Sequence, residues 1–150
     1  APLPSDRTLV GSPILTISVA ADRSDVNVFG YLEDVAPDGK AEVVAFGRLA
    51  ASHRKVAKAP YDTLGLPWHP GRKADVAPIT PGTPVTLSFA FTPTARRIPA
   101  GHRLRLAVAG ADHRQRNLAQ IKVDPAPRIT IDRGSESHID IPLVGPNALP

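Results

Sequence analysis

No cysteine and no methionine occur among the 150 residues. The missing thiols exclude disulfides, zinc–thiolate sites, iron–sulfur clusters and thiol catalysis, but carry no information about compartment. A missing initiator Met fits either its removal before Ala1 or excision of a module from a longer chain. Only seven aromatic residues are present (one Trp, two Tyr, four Phe). The 18 Lys and Arg residues are scattered, leaving a net charge of +4. A nucleic-acid binder needs clustered cations and exposed rings, so that class is disfavoured. No apolar run reaches the length of a membrane span, and no basic-then-apolar leader is seen. We therefore expect no membrane partner, and the cytoplasm is slightly favoured.

What the chain has in excess is proline, 17 residues, together with 11 glycines. Proline removes a backbone donor and glycine costs entropy inside helices, which argues against a helical bundle. Period-2 alternation dominates instead. Leu15, Ile17 and Val19 alternate with Thr16 and Ser18; Val85, Leu87, Phe89 and Phe91 with Thr86, Ser88 and Ala90; Leu104, Leu106 and Val108 with Arg103 and Arg105. Ile139, Ile141 and Leu143 surround His138 and Asp140 in the same way. Further strands are expected at 26–33, 42–49, 121–123 and 128–132. Each alternating run presents one apolar face, as a half-buried antiparallel strand does. Ala36-Pro37-Asp38-Gly39 reads as a hairpin loop with Gly39 at positive φ. About eight short strands with Gly/Pro punctuation predict an all-β fold of two packed antiparallel sheets or a barrel, the sandwich being the favoured form.

Two features depart from this rhythm. The strands at 26–33 and 42–49 carry bulk on both faces (Phe29 and Tyr31 opposite Val28 and Leu32, with Phe46 opposite Val43). Such strands are either central and covered on both sides or meet another domain. Residues from about 52 to 84 show no strand pattern and hold Pro60, Pro67, Pro70, Pro78 and Pro81 with Tyr61 and Trp68. A loop of that length within a compact domain folds back over its own sandwich edge or docks on a neighbour.

The chemistry-bearing patterns are sparse. There is no Gly-x-Ser-x-Gly elbow, and Ser52-His53 and Ser137-His138 would point to opposite faces if extended. His53, His69, His102, His113 and His138 have no metal-ligand spacing. The cluster Asp22-Arg23-Ser24-Asp25-Val26-Asn27 lacks the sharp-turn Gly and distal Glu of a calcium loop, so backbone-capping hydrogen bonds are expected there. No cofactor, metal or catalytic residue is assigned.

Several motifs follow one another in a familiar order. Asp22–Asp34 with Val35-Ala36-Pro37-Asp38-Gly39, Gly47–Arg54, Pro81–Val85, Phe91–Ala95 and Pro99–Leu106 together resemble the C-terminal domain of X-Pro dipeptidyl-peptidase and cocaine-esterase-type serine hydrolases. Pro60–His69 is similar to the long loop of one subgroup. The resemblance implies one accessory domain over residues 1–150, a jelly-roll sandwich of galactose-binding-like type, following an α/β-hydrolase domain that carries the Ser, Asp and His. It implies a non-catalytic chain that packs on that domain and shapes or stabilises its substrate pocket, with a homo-oligomer as a further possibility. Tyr61, Trp68, His69, Arg54, Phe29 and Tyr31 are the candidate interface or ligand residues. The alternatives are a free-standing carbohydrate- or ligand-binding sandwich with Trp68 or Tyr61 as a stacking platform, and an ester hydrolase in its own right. The segment Ala111–Gln120 departs from the family pattern, so substrate preference does not transfer.

Overall fold

A computed structural model describes residues 1–112, 125–134 and 136–145. It contains ten strands: β1 (Arg7–Gly11), β2 (Ile14–Ala21), β3 (Asn27–Val35), β4 (Ala41–Ala50), β5 (Val85–Ala90), β6 (Thr94–Ile98), β7 (Arg103–Ala109), β8 (Ile129–Asp132), β9 (His138–Asp140) and β10 (Leu143–Val144). Among the described residues there is no α-helix, only short 3-10 turns at Ala51–His53 and Lys73–Asp75. Every ladder is antiparallel. The expected all-β sandwich is therefore what the chain builds. The strand expected at 121–123 lies outside the described residues.

One layer has the order β4-β3-β7. The other is centred on the continuous pass β1–β2, with β5–β6 along one side and β9–β10 along the other, and β8 also beside β2. All three passes break at the same level, and each break contains a proline: Pro13, Pro93 and Pro142. A proline has no N–H to give a ladder, so three aligned prolines fold this layer along a seam. Two bonds across the seam keep the passes together, from Phe91 N–H to the Pro13 carbonyl (2.8 Å) and from Val10 N–H to the Pro142 carbonyl (3.1 Å). The expected single run through Ile139, Ile141 and Leu143 is thus split at Pro142.

Alternation sets the core. Leu15, Ile17 and Val19 lie beside Phe89, Leu87 and Val85 across the β2/β5 ladder, and Val28 and Leu32 face them from β3. Gly30 and Gly47 are register partners in β3 and β4. A Cβ at Gly30 would come within 2.5 Å of the Phe91 ring, and one at Gly47 within 2.6 Å. The glycine pair is a window into which Phe91 packs, and it brings the two layers into contact. The β3–β4 hairpin closes as expected, with Gly39 at φ 89° and its N–H donating to the Ala36 carbonyl at 2.9 Å.

Candidate functional site

The Pro-rich segment leaves β4 and returns at β5 without a strand of its own. Its two ends are fastened at one hub. The Asp25 carboxylate accepts from the backbone N–H of Val26 (2.9 Å) and of Ser52 (2.8 Å), and from the Ser52 hydroxyl (2.7 Å). Ala77 N–H donates to the Ser52 carbonyl and Ile79 N–H to the Ser24 carbonyl, each at 2.8 Å. The Arg54 guanidinium donates to the carbonyls of Ala51 and Ala77, one from each end of the segment. Arg54 is therefore a clasp that closes the loop, and its hydrogen-bonding nitrogen is spent within the chain.

This hub brings a serine, an imidazole and a carboxylate together, because Ser52 Oγ also lies 3.2 Å from His53 Nδ1. Ser52 and His53 do not point to opposite strand faces, because Ala51–His53 is a 3-10 turn. The connectivity is nonetheless wrong for a nucleophile. A catalytic triad needs imidazole to take the hydroxyl proton while the carboxylate holds the far ring nitrogen. Here the hydroxyl donates to Asp25 directly, and Ser52 is only 3% exposed. The cluster caps a turn, the role expected for Asp22–Asn27, and Asp22 likewise accepts from Arg128 N–H (3.0 Å).

Beyond the hub the segment carries the aromatic candidates. Ala57 N–H donates to the Trp68 carbonyl at 3.0 Å, closing a subloop. Tyr61 stands edge-on to Trp68, centroids 6.5 Å apart and planes at 80°, so the two rings do not make one flat stacking platform. His69 bridges outward: Nδ1 lies 3.1 Å from the Lys55 carbonyl and Nε2 3.0 Å from that of Ser88 on β5. A neutral ring donates to one of these oxygens and an imidazolium to both. At the tip, Leu66 N–H bonds to the Thr63 carbonyl (3.0 Å), with Leu64 at φ 55° and Gly65 at φ 81°.

Two cavities adjoin the segment. One of about 300 Å³ has Trp68, Pro60, Pro70, Lys58 and Arg72 in its wall. The other, about 840 Å³, runs along the proline seam between Gly11, Ile14, Phe91 and Pro142 and reaches Leu64 and Leu66. Seven large apolar side chains stand exposed among the described residues, and four of them (Val56, Tyr61, Leu64 and Val76) belong to this segment.

The candidates on β3 are placed differently. Phe29 is 1% exposed. It lies on the strand face opposite Val28 and Leu32 and is buried there. Tyr31 is half-buried, and its hydroxyl donates to Asp112 Oδ2 at 2.7 Å, Asp112 itself being buried. The remaining bulk on that face is Phe46, 38% exposed, and Val43, 45% exposed, which the register shift at Leu32/Glu33 brings to the same side as Phe46 and not, as the alternation predicts, to the opposite one.

Sequence reasoning missed a polar network at the β6–β7 turn. Asp34, 4% exposed, lies 2.7 Å from His102 Nδ1 and 3.7 Å from Arg96, which also pairs with Glu42 at 2.6 Å. The Arg96 hydrogen bond, with its charge and that of Lys40, holds the Glu42 carboxyl below its usual range. Nearby, Asp6 takes Arg97 and the Ala100 N–H, and the Arg97 bond first, then the amide, lowers its pKa. The available signal was positional: Asp34 follows Leu32 at the inward-facing interval of β3.

Over residues 1–133 the chain matches the family described as the X-Pro dipeptidyl-peptidase C-terminal non-catalytic domain. It is 32% identical over 148 residues to a protein of Mycobacterium bovis named as a serine esterase, a match covering 97% of this chain and 23% of the relative. It is 27% identical over 174 residues to a Streptomyces avermitilis protein named as an Xaa-Pro dipeptidyl-peptidase, covering 97% and 24%. The chain thus spans about a quarter of the length of these curated relatives. In fold it is similar to a CocE/NonD family hydrolase from Staphylococcus aureus, with a TM-score of 0.76 at 20% identity, over 97% of this chain and 30% of that one.

Proposed function

The chain belongs to the family of X-Pro dipeptidyl-peptidase C-terminal non-catalytic domains, and from that premise we propose that it serves a longer serine hydrolase, its Pro-rich segment lying against an α/β-hydrolase catalytic domain. The domain supplies shape at the rim of that catalytic domain and no bond-breaking group. On the same reading residues 1–150 are one accessory domain, and its sandwich is a jelly roll of galactose-binding-like type.

The observation that carries the proposal is Leu64. Its left-handed backbone costs a leucine roughly 1–2 kcal/mol, and its side chain is 86% exposed. Neither feature stabilises this chain by itself. Both are accounted for if the tip is shaped for a surface outside it, and Val56, Tyr61 and Val76 are further exposed apolar side chains of the same segment.

Amide hydrogen exchange tests the contact directly. Residues 56–66 should exchange at least about tenfold more slowly in the full-length hydrolase than in the 150-residue chain. Leu64→Asn, which suits positive φ better, should leave the short chain as stable or slightly more so and speed exchange at this segment in the long one. Identical exchange in the two proteins would overturn the proposal.

A further inference from the structure

We infer that the cavity beside Trp68 is a binding site for a small organic carboxylate carried on a body about the size of one ring. Three cations (Lys55, Lys58 and Arg72) line it against a single carboxylate, Asp75. Asp75 is spent on Lys55, at 2.5 Å, with its side chain 13% exposed. Lys58 and Arg72 have no ion-pair partner among the described residues. Lys58 and Arg72, both exposed at the wall of the cavity, leave it with an excess of positive charge that an anion would offset.

The rest of the wall suits what such an anion would be attached to. Trp68 is half-buried and gives an apolar face with a polar edge. Pro60 and Pro70 fix φ on either side, Ala57 N–H holds the Trp68 carbonyl, and His69 pins the neighbouring residue to β5. The cavity is thus formed before any ligand arrives, which lowers the ordering cost of binding. Its volume of about 300 Å³ is at the small end for ligand sites and limits the body to one ring. Arg72 offers a fork for two carboxylate oxygens, and Lys58 a point charge. This inference does not depend on docking at the Leu64 tip.

Trp68 is the only tryptophan, so its emission reports on this cavity alone. Cyclohexanecarboxylate and glucuronate are titrated into the 150-residue chain, beside their neutral counterparts cyclohexanemethanol and glucose. We expect a saturable change in emission with at least one acid and a response at least about tenfold weaker with its neutral counterpart. A response to cyclohexanecarboxylate alone assigns an apolar acid, to glucuronate alone a sugar acid, and to both the shared carboxylate. The double variant Lys58→Gln/Arg72→Gln should weaken binding about tenfold; Lys58→Arg should stay within about threefold of the wild type, and Arg72→Lys, which loses the fork, should weaken binding more than Lys58→Arg does. No saturation by about 50 mM, an equal response to the neutral compounds, or an unaffected double Gln variant would each overturn the assignment. A null titration beside a protected segment 56–66 in the full-length hydrolase would remove this site and leave the docking reading in place.

Discussion

Gly30 and Gly47 face each other across β3 and β4, and replacing either with alanine tests the packing of the two layers. A Cβ on Gly30 would meet only side-chain atoms: Phe91 Cζ at 2.5 Å, Phe91 Cε1 at 3.0 Å and Leu15 Cδ2 at 3.1 Å. A Cβ on Gly47 would meet Phe91 Cδ1 at 2.6 Å and also the Ala90 carbonyl oxygen at 2.8 Å, a backbone atom held in the β2/β5 ladder. Overpacking costs about 1–3 kcal/mol, and alanine recovers about 0.5–1 kcal/mol of glycine's backbone entropy. Gly30→Ala should therefore destabilise by roughly 0.5–2 kcal/mol and Gly47→Ala by roughly 2 kcal/mol or more. For a chain of this size the latter is a fall in Tm of about 4–8 °C. A second substitution separates the two causes. Phe91→Leu removes the ring, so it should rescue Gly30→Ala and give a double mutant more stable than the sum of the single effects. It cannot rescue Gly47→Ala, where the carbonyl remains in the way. Urea unfolding followed by far-UV circular dichroism measures the wild type, the three single variants and the two double variants. Two alanine variants within about 0.5 kcal/mol of the wild type, or equal rescue at both sites, would refute the glycine window.

Three further outcomes follow from the same contacts. Asp25→Ala leaves the Ser52 amide and hydroxyl without their acceptor and should cost about 2–4 kcal/mol in urea unfolding; the purified chain should not hydrolyse p-nitrophenyl esters, and turnover abolished by Ser52→Ala would restore the triad reading. Asp6, held below its ordinary value of 3.8 by Arg97 and the Ala100 amide, stabilises the folded state fully above that value, and this contribution is lost as pH falls below it toward the lowered one. Thermal melts from pH 6 to pH 2.5 should therefore show a smaller acid-side loss in Asp6→Asn than in the wild type, and parallel curves would remove that role. Gly11 sits at φ 113° against Pro142 on the seam, so Gly11→Ala should cost about 1–3 kcal/mol, read from the same melts at neutral pH.

The strands legible in the sequence are those whose alternation reflects burial on one face. β2 and β5 are clear because Leu15, Ile17, Val19, Leu87 and Phe89 all turn inward. β1 and β6 escaped because a five-residue strand such as Thr-Ala-Arg-Arg-Ile contributes one fully buried side chain, Ile98, and its arginines are held by Asp6 and Glu42, distant in sequence. Two-sided bulk was ambiguous in principle: it marks a central strand as well as a docking strand. Within this chain Phe29 is 1% exposed, whereas Phe46 at 38% and Val43 at 45% leave bulk of β4 at the surface.

The site residues show a different limit. Extended backbone would send Ser52 and His53 to opposite faces, yet a 3-10 turn brings them together with Asp25, and what makes Ser52 a poor nucleophile is the direction of its hydroxyl proton and its burial. Lys55, Lys58 and Arg72 read as scattered charge because nothing local says that a chain leaving Lys58 returns at Arg72. That return is made by the Ala57–Trp68 bond and the two contacts of His69. The prolines between them restrict φ at Pro60, Pro67 and Pro70 but leave ψ and the path open. A Pro-rich loop can therefore be recognised as stiff from sequence alone, whereas the charges it gathers depend on a few long-range hydrogen bonds that stiffness does not specify.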